Sequence, residues 1–357
     1  MKVSNNGLVT TLFLTIITAQ ACKEQAPVSN VIVTTFAGST AGYADGNGTQ
    51  AKFNSPTGLT VDASGNVYVA DLLNSKIRKI TPDGTVSTIA GTTAGYLDGA
   101  GADAKFNKPV DVALDVNGNI IVADYSNFKI RKIDSNGIVT TVAGSTQGHA
   151  DGPALSAMFY YPSALAIGQD GVIYVAEPDH LIRKIIPNGT VSTLAGNTIN
   201  GYIDGPGINA EFDLPSGLAV DANNNVYVAD YHNNTIRKID KFGVVSSFVG
   251  GANEFGVSNG TVSSTLFEGP TGVAIDQIGN FIVSEIGNST GAGYSRIRKV
   301  SSSGTVTTLT GSDKGYVDGT GGSAKFDYPN DVAIDANGNI YVADEFNHVI
   351  RKIVVKP

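Results

Sequence analysis

The stretch "PTGLTVDASGNVYVADLLNSKIRKITPDGTVSTIAG" (residues 56–91) contains four short apolar runs with turn residues between them. The runs "GLTVD", "VYVAD", "KIRKI" and "VSTIAG" are five or six residues long and rich in valine and isoleucine, as β-strands are. Glycine, asparagine, aspartate and proline between the runs favour the tight turns that join antiparallel strands. This stretch therefore predicts an antiparallel meander of four strands.

The same pattern occurs six times along the chain, which identifies a repeat protein. Each copy carries the frame Pro-x-(Gly/Asp/Ala)-(Leu/Val), and successive prolines are 53, 53, 53, 55 and 59 residues apart. One small sheet cannot bury both of its faces, whereas six sheets packed radially cover one another and expose only short edges. We therefore predict an all-β fold, a six-bladed β-propeller of four-stranded antiparallel blades over residues 31–357. The frames begin at Pro56, Pro109, Pro162, Pro215, Pro270 and Pro329.

The two ends of the repeat array complement each other. The last copy ends after its third run, "HVIRKIVV" (348–355), whereas "VIVTTFAGSTAGYADG" (31–46) matches the end of a copy. A strand from the N-terminal segment can therefore complete the last blade, which leaves no open terminal sheet. We expect the ring to be closed in this way.

Several motifs of each copy resemble the NHL repeat. The third and fifth copies depart from it, because they have Glu177 and Glu285 where the others have aspartate, and they differ in the following loop. The resemblance covers residues 31–355 and implies a six-bladed propeller. It implies no single function, because such propellers serve as enzymes, sensors, protein docks and RNA binders. The motifs of the first copy are "PTGL" (56–59), "NVYVAD" (66–71), Asn74 and "IRKI" (77–80).

Every copy has one acid at the end of its second run and one arginine in its third. A catalytic site occurs once in a protein, so a pair that occurs six times indicates an ion pair of the scaffold. One phenylalanine per copy is interpreted as a wedge between blades, and the aspartate of the recurring Gly-Tyr-x-Asp-Gly motif as a turn residue. The pairs are Asp71/Arg78, Asp124/Arg131, Glu177/Arg183, Asp230/Arg237, Glu285/Arg298 and Asp344/Arg351.

The N-terminal segment is typical of an export signal. Lys2 precedes an apolar stretch, residues 8–17, which is too short for a membrane-spanning helix of about 20 residues. The small residues Ala19 and Ala21 lead into Cys22, the single cysteine of the chain. This arrangement resembles a bacterial lipoprotein signal.

We interpret residues 1–21 as the signal peptide, Cys22 as the lipidated residue and residues 22–30 as a tether. The chain is then predicted to be a lipoprotein of the bacterial cell envelope that contacts the membrane through its N-terminal lipid. Plain secretion, which gives a secreted or periplasmic protein, is the alternative.

The charge distribution argues against a nucleic-acid partner. The formal net charge is −8 over 357 residues, and the arginine–lysine doublets are spread one to a copy instead of forming a basic face. The sequence also contains no Gly-x-Ser-x-Gly elbow and no phosphate-binding loop. We expect a monomer and predict no catalytic residue.

Four histidines occupy three different positions of the repeat. His149 replaces the tyrosine of the Gly-Tyr-x-Asp-Gly motif, and His180, His232 and His348 lie in loops between the second and third runs. No spacing typical of a metal site is present. We interpret them as solvated residues, although a common position on one rim keeps a zinc site open.

The third residue of the Pro-x-(Gly/Asp/Ala) frame begins the strand that should line the central channel. This position is an acid in two copies only, at Asp111 and Asp331, and Asn330 and Ser163 lie one residue earlier in their own copies. Such oxygens at a channel mouth can hold a divalent cation, calcium or zinc, or the hydroxyls of a sugar. The alternative is that each aspartate caps the turn after the proline.

These observations favour a binding or protein-interaction module at the cell envelope, with a protein or a glycan as its ligand. The alternative is a metal-dependent propeller enzyme of the lactonase or lyase type, with Asp111 and Asp331 around the cation. A surface protein with no small ligand is the third interpretation.

Overall fold

The computed structural model describes residues 30–251, 256, 258–262, 264–287 and 293–356. The predicted signal peptide and Cys22 lie outside the described residues. None of the helices within these ranges is long and apolar enough to cross a membrane.

Six antiparallel sheets form the blades of a propeller, which confirms the predicted all-β, six-bladed fold. In each blade the first strand is innermost, and the second, third and fourth strands follow outward in chain order. A fifth strand of two residues, which the sequence did not predict, pairs with the outer edge of the fourth. Blades therefore have five strands, not four.

The strands correspond closely from blade to blade. The innermost strands are Pro56–Val61, Pro109–Leu114, Ala164–Ile167, Pro215–Val220, Pro270–Ile275 and Pro329–Ile334. The second strands are Val67–Asp71, Ile120–Asp124, Ile173–Glu177, Val226–Asp230, Phe281–Ile286 and Ile340–Asp344. The third strands are Lys76–Ile80, Lys129–Ile133, Leu181–Ile186, Thr235–Ile239, Tyr294–Val300 and Val349–Val355.

The fourth strands are Thr85–Ala90, Ile138–Ala143, Thr190–Ala195, Val244–Val249, Thr305–Asp313 and Val31–Gly38. The two-residue edge strands are Gly46–Asn47, Gly99–Ala100, Gly152–Pro153, Gly205–Pro206, Gly260–Thr261 and Gly319–Thr320. Short 3₁₀ helices span Gly48–Gln50, Leu72–Asn74, Tyr125–Asn127, Gly207–Asn209, Gly321–Ser323 and Glu345–Asn347.

The ring closes in the predicted way. The N-terminal strand Val31–Gly38 lies antiparallel to Val349–Val355, with Val33 opposite Ile353, and it is the fourth strand of blade six. Segments from both ends of the chain thus share one sheet, so their backbone groups are paired instead of left at an open edge.

The core lies between the blades, where one phenylalanine per blade is completely buried. Phe53, for example, packs in a cluster that contains Leu59 of blade one and Ala343 of blade six. Each buried aromatic side chain contributes about 1.5–3 kcal/mol of hydrophobic stabilisation. The interpretation as wedges is therefore confirmed for Phe53, Phe106, Phe159, Phe212, Phe267 and Phe326.

The antiparallel order of the strands gives the propeller two different faces. Turns between first and second and between third and fourth strands lie on one face, which we call the turn face. Loops between second and third strands, and those between blades, lie on the other, which we call the loop face. The innermost strands surround a central channel.

Candidate functional site

All four predicted site residues line the central channel. Asp111, Ser163, Asn330 and Asp331 contribute to a cavity of about 360 Å³ that is surrounded by the innermost strands of all six blades. Asp111 is buried, and Asp331 is partly exposed to the channel. The two acids belong to blades two and six, which flank blade one.

Each channel acid binds the innermost strand of the next blade. Asp111 accepts the backbone N–H of Leu165 in blade three at 2.6 Å, and its other carboxylate oxygen accepts the N–H of Val112 at 2.7 Å. Asp331 accepts the N–H of Leu59 in blade one at 3.0 Å. The acids thus connect neighbouring blades, which is a structural role the sequence did not reveal.

A glycine in the preceding blade makes room for each of these acids. A Cβ atom on Gly58 would lie 2.2 Å from Oδ1 of Asp111 and 2.5 Å from its Cα. A Cβ atom on Gly272 would lie 2.6 Å from Oδ1 of Asp331. Real atoms do not approach so closely, so both glycines are required by the packing.

Burial makes both channel acids weak. Burial raises the pKa of Asp111 well above its usual range, and the nearby charge of Asp331 raises it further. Burial also raises the pKa of Asp331 to about 7, although the N–H groups of Leu59 and Val332 act in the opposite direction. Raised pKa values of this kind favour the protonated form of at least one of the two carboxyl groups near neutral pH, unless a cation binds nearby.

The neighbouring polar residues are also engaged. Asn330 donates its side-chain N–H to Glu345 at 2.8 Å, and the hydroxyl of Ser163 donates to the carbonyl of Ala176 at 3.1 Å. Both side chains lie at the junction between the channel and a wider depression on the loop face. Whether these four residues bind a ligand stays a prediction.

The repeated acids and arginines form ion pairs of the scaffold, as predicted. In blade one Arg78 lies 2.7 Å from Asp71, and both side chains are completely buried. The guanidinium group also contacts Asp45 at 2.6 Å and lies about 5.0 Å from the ring centres of Tyr43 and Phe53. The pairing recurs as Asp124–Arg131, Glu177–Arg183, Asp230–Arg237, Glu285–Arg298 and Asp344–Arg351.

The aspartate of the Gly-Tyr-x-Asp-Gly motif does more than form a turn. Besides binding Arg78, Asp45 accepts the backbone N–H of Thr88 at 3.2 Å. It therefore connects the segment before the innermost strand to the third and fourth strands. Interpretation as a turn residue alone was wrong, because Asp-Gly is also a turn signal and the sequence does not show the partner.

Two histidines connect blades instead of remaining only solvated. Nδ1 of His180 accepts the backbone N–H of Leu214 at 3.2 Å, and Nδ1 of His348 accepts that of Ser55 at the same distance. His232 is half-exposed and lies 3.2 Å from Asp213. His149 contacts Asp179 at 2.7 Å.

The depression on the loop face is an aromatic-lined cavity of about 370 Å³, which we call the bowl. It opens where Ser163 and Asn330 meet the channel. Its wall is mainly apolar, and hydroxyl, amide and carboxyl groups also line it. The wall includes Leu72, Tyr125, Leu214, Tyr231, Tyr328 and Phe346, and the polar groups include Thr57, Ser163, Ser216, Thr271, Asn330 and Glu345.

Local backbone geometry and ring stacking position Tyr328 in the bowl. Tyr328 precedes the proline of its frame and has a left-handed backbone with φ of 63°, which is unusual for a bulky residue. Its ring stacks on Phe346 with centres 4.8 Å apart. Burial raises the pKa of Tyr328 to about 12, so its hydroxyl stays protonated and can donate a hydrogen bond.

Sequence reasoning did not identify the bowl. Its aromatic residues come from two kinds of loop, and no single stretch contains them all. One signal was available: the residue after the second-strand acid differs between copies, whereas its surroundings are nearly uniform. The occupants are Leu72, Tyr125, Pro178, Tyr231, Ile286 and Glu345.

Comparison with known proteins identifies the repeat. The NHL repeat model matches residues 53–80, 106–133, 212–239 and 326–353. The chain is 28% identical over 339 residues to NHL repeat-containing protein 2 of Bos taurus, which covers 83% of this chain and 46% of that protein. It is 28% identical over 228 residues to teneurin-4 of Mus musculus, which covers 55% of this chain and 8% of teneurin-4. The chain thus spans less than half of these relatives.

Solved structures share the fold at low sequence identity. An auxiliary nutrient binding protein from Bacteroides ovatus superposes with a TM-score of 0.68 at 18% identity, over 92% of this chain and 78% of that one. A gluconolactonase from Xanthomonas campestris superposes with a TM-score of 0.60 at 14% identity, over 93% of this chain and 92% of that one. Together with the sheet order, these matches show that the chain is a six-bladed β-propeller that carries NHL repeats.

Proposed function

We propose that this chain is an exported, lipid-anchored binding protein of the cell envelope that holds a glycan in the bowl. The observation that carries the proposal is the composition of the bowl. Cavities of 300–1,000 Å³ with aromatic walls and a few polar groups are typical ligand sites, and the bowl has about 370 Å³.

The chemistry of the bowl suits a sugar. Tyr125, Tyr231 and Tyr328 offer apolar ring faces and polar tips, which fit the C–H and O–H surfaces of a pyranose ring. Asn330 and Glu345 are already hydrogen-bonded to each other, so their orientation is fixed before a ligand arrives. A pre-organised polar pair reduces the entropic cost of binding.

The fold and the leader are consistent with this proposal. Among the solved propellers that share the fold is one described as an auxiliary nutrient binding protein. The N-terminal segment ahead of Cys22 resembles a lipoprotein signal. A protein that captures glycans at the cell envelope would need both a binding propeller and a membrane anchor.

A panel of oligosaccharides, tested by isothermal titration calorimetry, examines the proposal. We expect at least one glycan to bind, and we expect Tyr231→Ala and Tyr328→Ala each to weaken binding by about tenfold, as the loss of an aromatic anchor does. Phe242→Ala is the matched control, because Phe242 is 81% exposed in a turn of the opposite face. If Phe242→Ala weakens binding equally, or if neither tyrosine variant changes the affinity, the glycan binds outside the bowl.

Membrane anchoring has its own test. Cys22→Ser removes the only thiol that can be lipidated, so the protein should move from the membrane fraction to the soluble fraction. Unchanged association with membranes would contradict lipid anchoring while leaving the glycan proposal intact.

The paired channel acids favour a second candidate, a metal-dependent enzyme of the lactonase or lyase type. A fold shared with a gluconolactonase is compatible with this alternative. Metal analysis of the purified protein and of Asp111→Ala/Asp331→Ala separates the two. Stoichiometric calcium or zinc that is lost in the double variant would favour the enzyme, whereas no thermal shift with either ion would count against it.

A further inference from the structure

Blade three departs from the other blades in one local network. In blades one, two, four and six an asparagine after the second strand donates one N–H to the strand acid and another to the carbonyl of the Gly-Tyr glycine. In blade one Asn74 donates to Asp71 at 2.8 Å and to Gly42 at 2.7 Å. The equivalent residues are Asn127, Asn233 and Asn347.

Three substitutions at once change this network in blade three. Asp179 occupies the position of the asparagine. Each of the two directly precedes the residue with a left-handed backbone, which is His180 in blade three and Ser75 in blade one. Glu177 replaces the strand aspartate, and His149 replaces the tyrosine. A donor amide and a phenol thereby become a carboxylate and an imidazole, both of which can bind metal ions.

The three side chains converge. Nε2 of His149 lies 2.7 Å from Asp179, and its Nδ1 lies 3.7 Å from Glu177. One ligand atom from each residue can be chosen so that all three lie within 4.8 Å of one another. His149 is 36% exposed and the Asp179 side chain 20% exposed, so solvent reaches the cluster.

The cluster also contains a carboxylate oxygen that receives no hydrogen bond from the described residues. Oδ1 of Asp179 is buried and has no hydrogen-bond partner among the residues that the structure describes. Glu177 is fully buried and uses Arg183 and the backbone N–H of Tyr160. Burial raises the pKa of Glu177 to about 7 and also raises that of Asp179, as expected for two close carboxyl groups that need a cation or a proton.

We propose that His149, Glu177 and Asp179 bind a divalent transition-metal ion of the zinc type on the loop face of blade three. One imidazole nitrogen and two carboxylate oxygens form a common ligand set for such ions, with water at the remaining positions. The ion would replace the direct contact between His149 and Asp179, and its binding would release protons from the ligands. It would fasten the 177–180 loop, which contributes Pro178 to the bowl, to the segment around His149.

This site is separate from the channel acids and does not rest on the proposed glycan function. The metal alone is therefore the probe, and the full-length purified protein, freed of metal by chelation, is the sample. Titration with zinc against a chromogenic chelator measures stoichiometry and affinity. We expect one zinc ion per chain, bound more weakly as the pH falls from 7.5 to 5.5, because protons compete for the ligands.

The repeat itself supplies the matched variant. His149→Tyr/Glu177→Asp/Asp179→Asn gives blade three the side chains of blade one, so it should remain folded and lose at least tenfold in zinc affinity. His232→Ala, at a half-exposed histidine outside the cluster, should leave the affinity unchanged. No zinc binding by the parent at pH 7.5, or equal binding by the triple variant, would overturn the proposal and leave His149 and Asp179 as an ion pair only.

Discussion

The carboxylate of Asp331 accepts the backbone N–H of Leu59 at 3.0 Å, so a side chain of blade six holds the innermost strand of blade one. This contact joins the last blade of the ring to the first. Asp331 also shares the channel with a second acid, Asp111, whose pKa its charge raises. The pair should therefore make the stability of the propeller depend on pH.

We expect Asp331 to destabilise the fold as the pH rises. Its pKa is about 7 in the folded protein and about 3.9 in an unfolded chain, so the folded state binds the proton more tightly. The stabilising contribution of that proton is complete below about pH 4 and is lost as the pH rises through about 7. Asp331→Asn should therefore raise the melting temperature at pH 8 and leave it nearly unchanged at pH 4.

Thermal melts at pH 4, 6 and 8 measure this effect as the difference between variant and parent. Asp103→Asn, an exposed acid in blade two, is the control and should show no such trend. A variant that is less stable than the parent at pH 8 would mean that the ionised carboxylate is needed for the contact with Leu59.

Gly58 should tolerate no side chain. The Cβ atom of Gly58→Ala would lie 2.2 Å from Asp111 Oδ1 and 2.7 Å from the carbonyl oxygen of Val110. Removal of the aspartate cannot relieve the second clash, so Gly58→Ala/Asp111→Gly should remain destabilised. We expect a loss of about 1–3 kcal/mol, as for other overpacked sites, measured by urea unfolding.

Blade three provides the comparison, because Ala164 occupies the same position there without conflict. Ala164→Gly should cost only about 0.5–1 kcal/mol, the usual effect of glycine in a strand. If Gly58→Ala is no more harmful than Ala164→Gly, the innermost strands are not packed as closely as the structure shows.

Repetition explains which features could be predicted from the sequence. Arg78 and Asp71 were identified as an ion pair because six copies of a pair indicate scaffold, and the ring closure followed from a strand missing in the last copy. The strand Gly46–Asn47 was not foreseen, because two residues carry no periodicity. Partners such as Asp45 and Thr88 were hidden for a different reason, since the fold and not the local sequence brings them together.

The same argument explains why the candidate sites were only partly predicted. Asp111 and Asp331 stood out as differences between aligned copies, and they do line the channel. The bowl and the cluster around His149 depend on residues from separate loops. Glu177 lies 28 positions after His149 in the chain, yet their side chains are 3.7 Å apart. No spacing rule for metal sites covers such a pair.

Loss of the fully buried Arg131 should be far more harmful than loss of its partly exposed neighbour Lys132. Arg131 and Asp124 are both fully buried and lie 2.7 Å apart. Arg131→Met leaves the carboxylate of Asp124 without its countercharge, which costs about 3–5 kcal/mol for a buried pair. Urea unfolding should show a lower midpoint, whereas Lys132→Met on the same strand should shift it little.

A double variant separates charge from packing. Arg131→Met/Asp124→Asn removes both charges, so it should be more stable than Arg131→Met alone. Asn127 and the backbone N–H of Asn107 donate to different oxygens of Asp124, so one of the two can still donate to the new amide oxygen. A double variant as unstable as the single one would show that the guanidinium acts mainly through its contacts with Tyr96 and Phe106.

His348 should make the contact between blades six and one sensitive to acid. Its Nδ1 accepts the backbone N–H of Ser55, so this nitrogen must be unprotonated in the folded protein. Burial lowers the pKa of His348 below its usual value of about 6.5. The folded state therefore binds the proton less tightly, and the stabilising contribution is complete above about pH 6.5 and is lost as the pH falls through the lowered pKa.

Blade four shows how the sensitivity can be removed. There Asn234 occupies the same left-handed position, and its side-chain oxygen accepts the N–H of Gly269 at 2.9 Å. His348→Asn should therefore keep the contact with Ser55 and melt at a higher temperature than the parent at pH 5, while matching it at pH 7.5. His232→Asn, at a half-exposed site, is the control. Asp331 changes the stability in the opposite direction over part of this pH range, so the variant must be compared with the parent at each pH. If both proteins lose the same melting temperature between pH 7.5 and pH 5, the acid sensitivity belongs to another group.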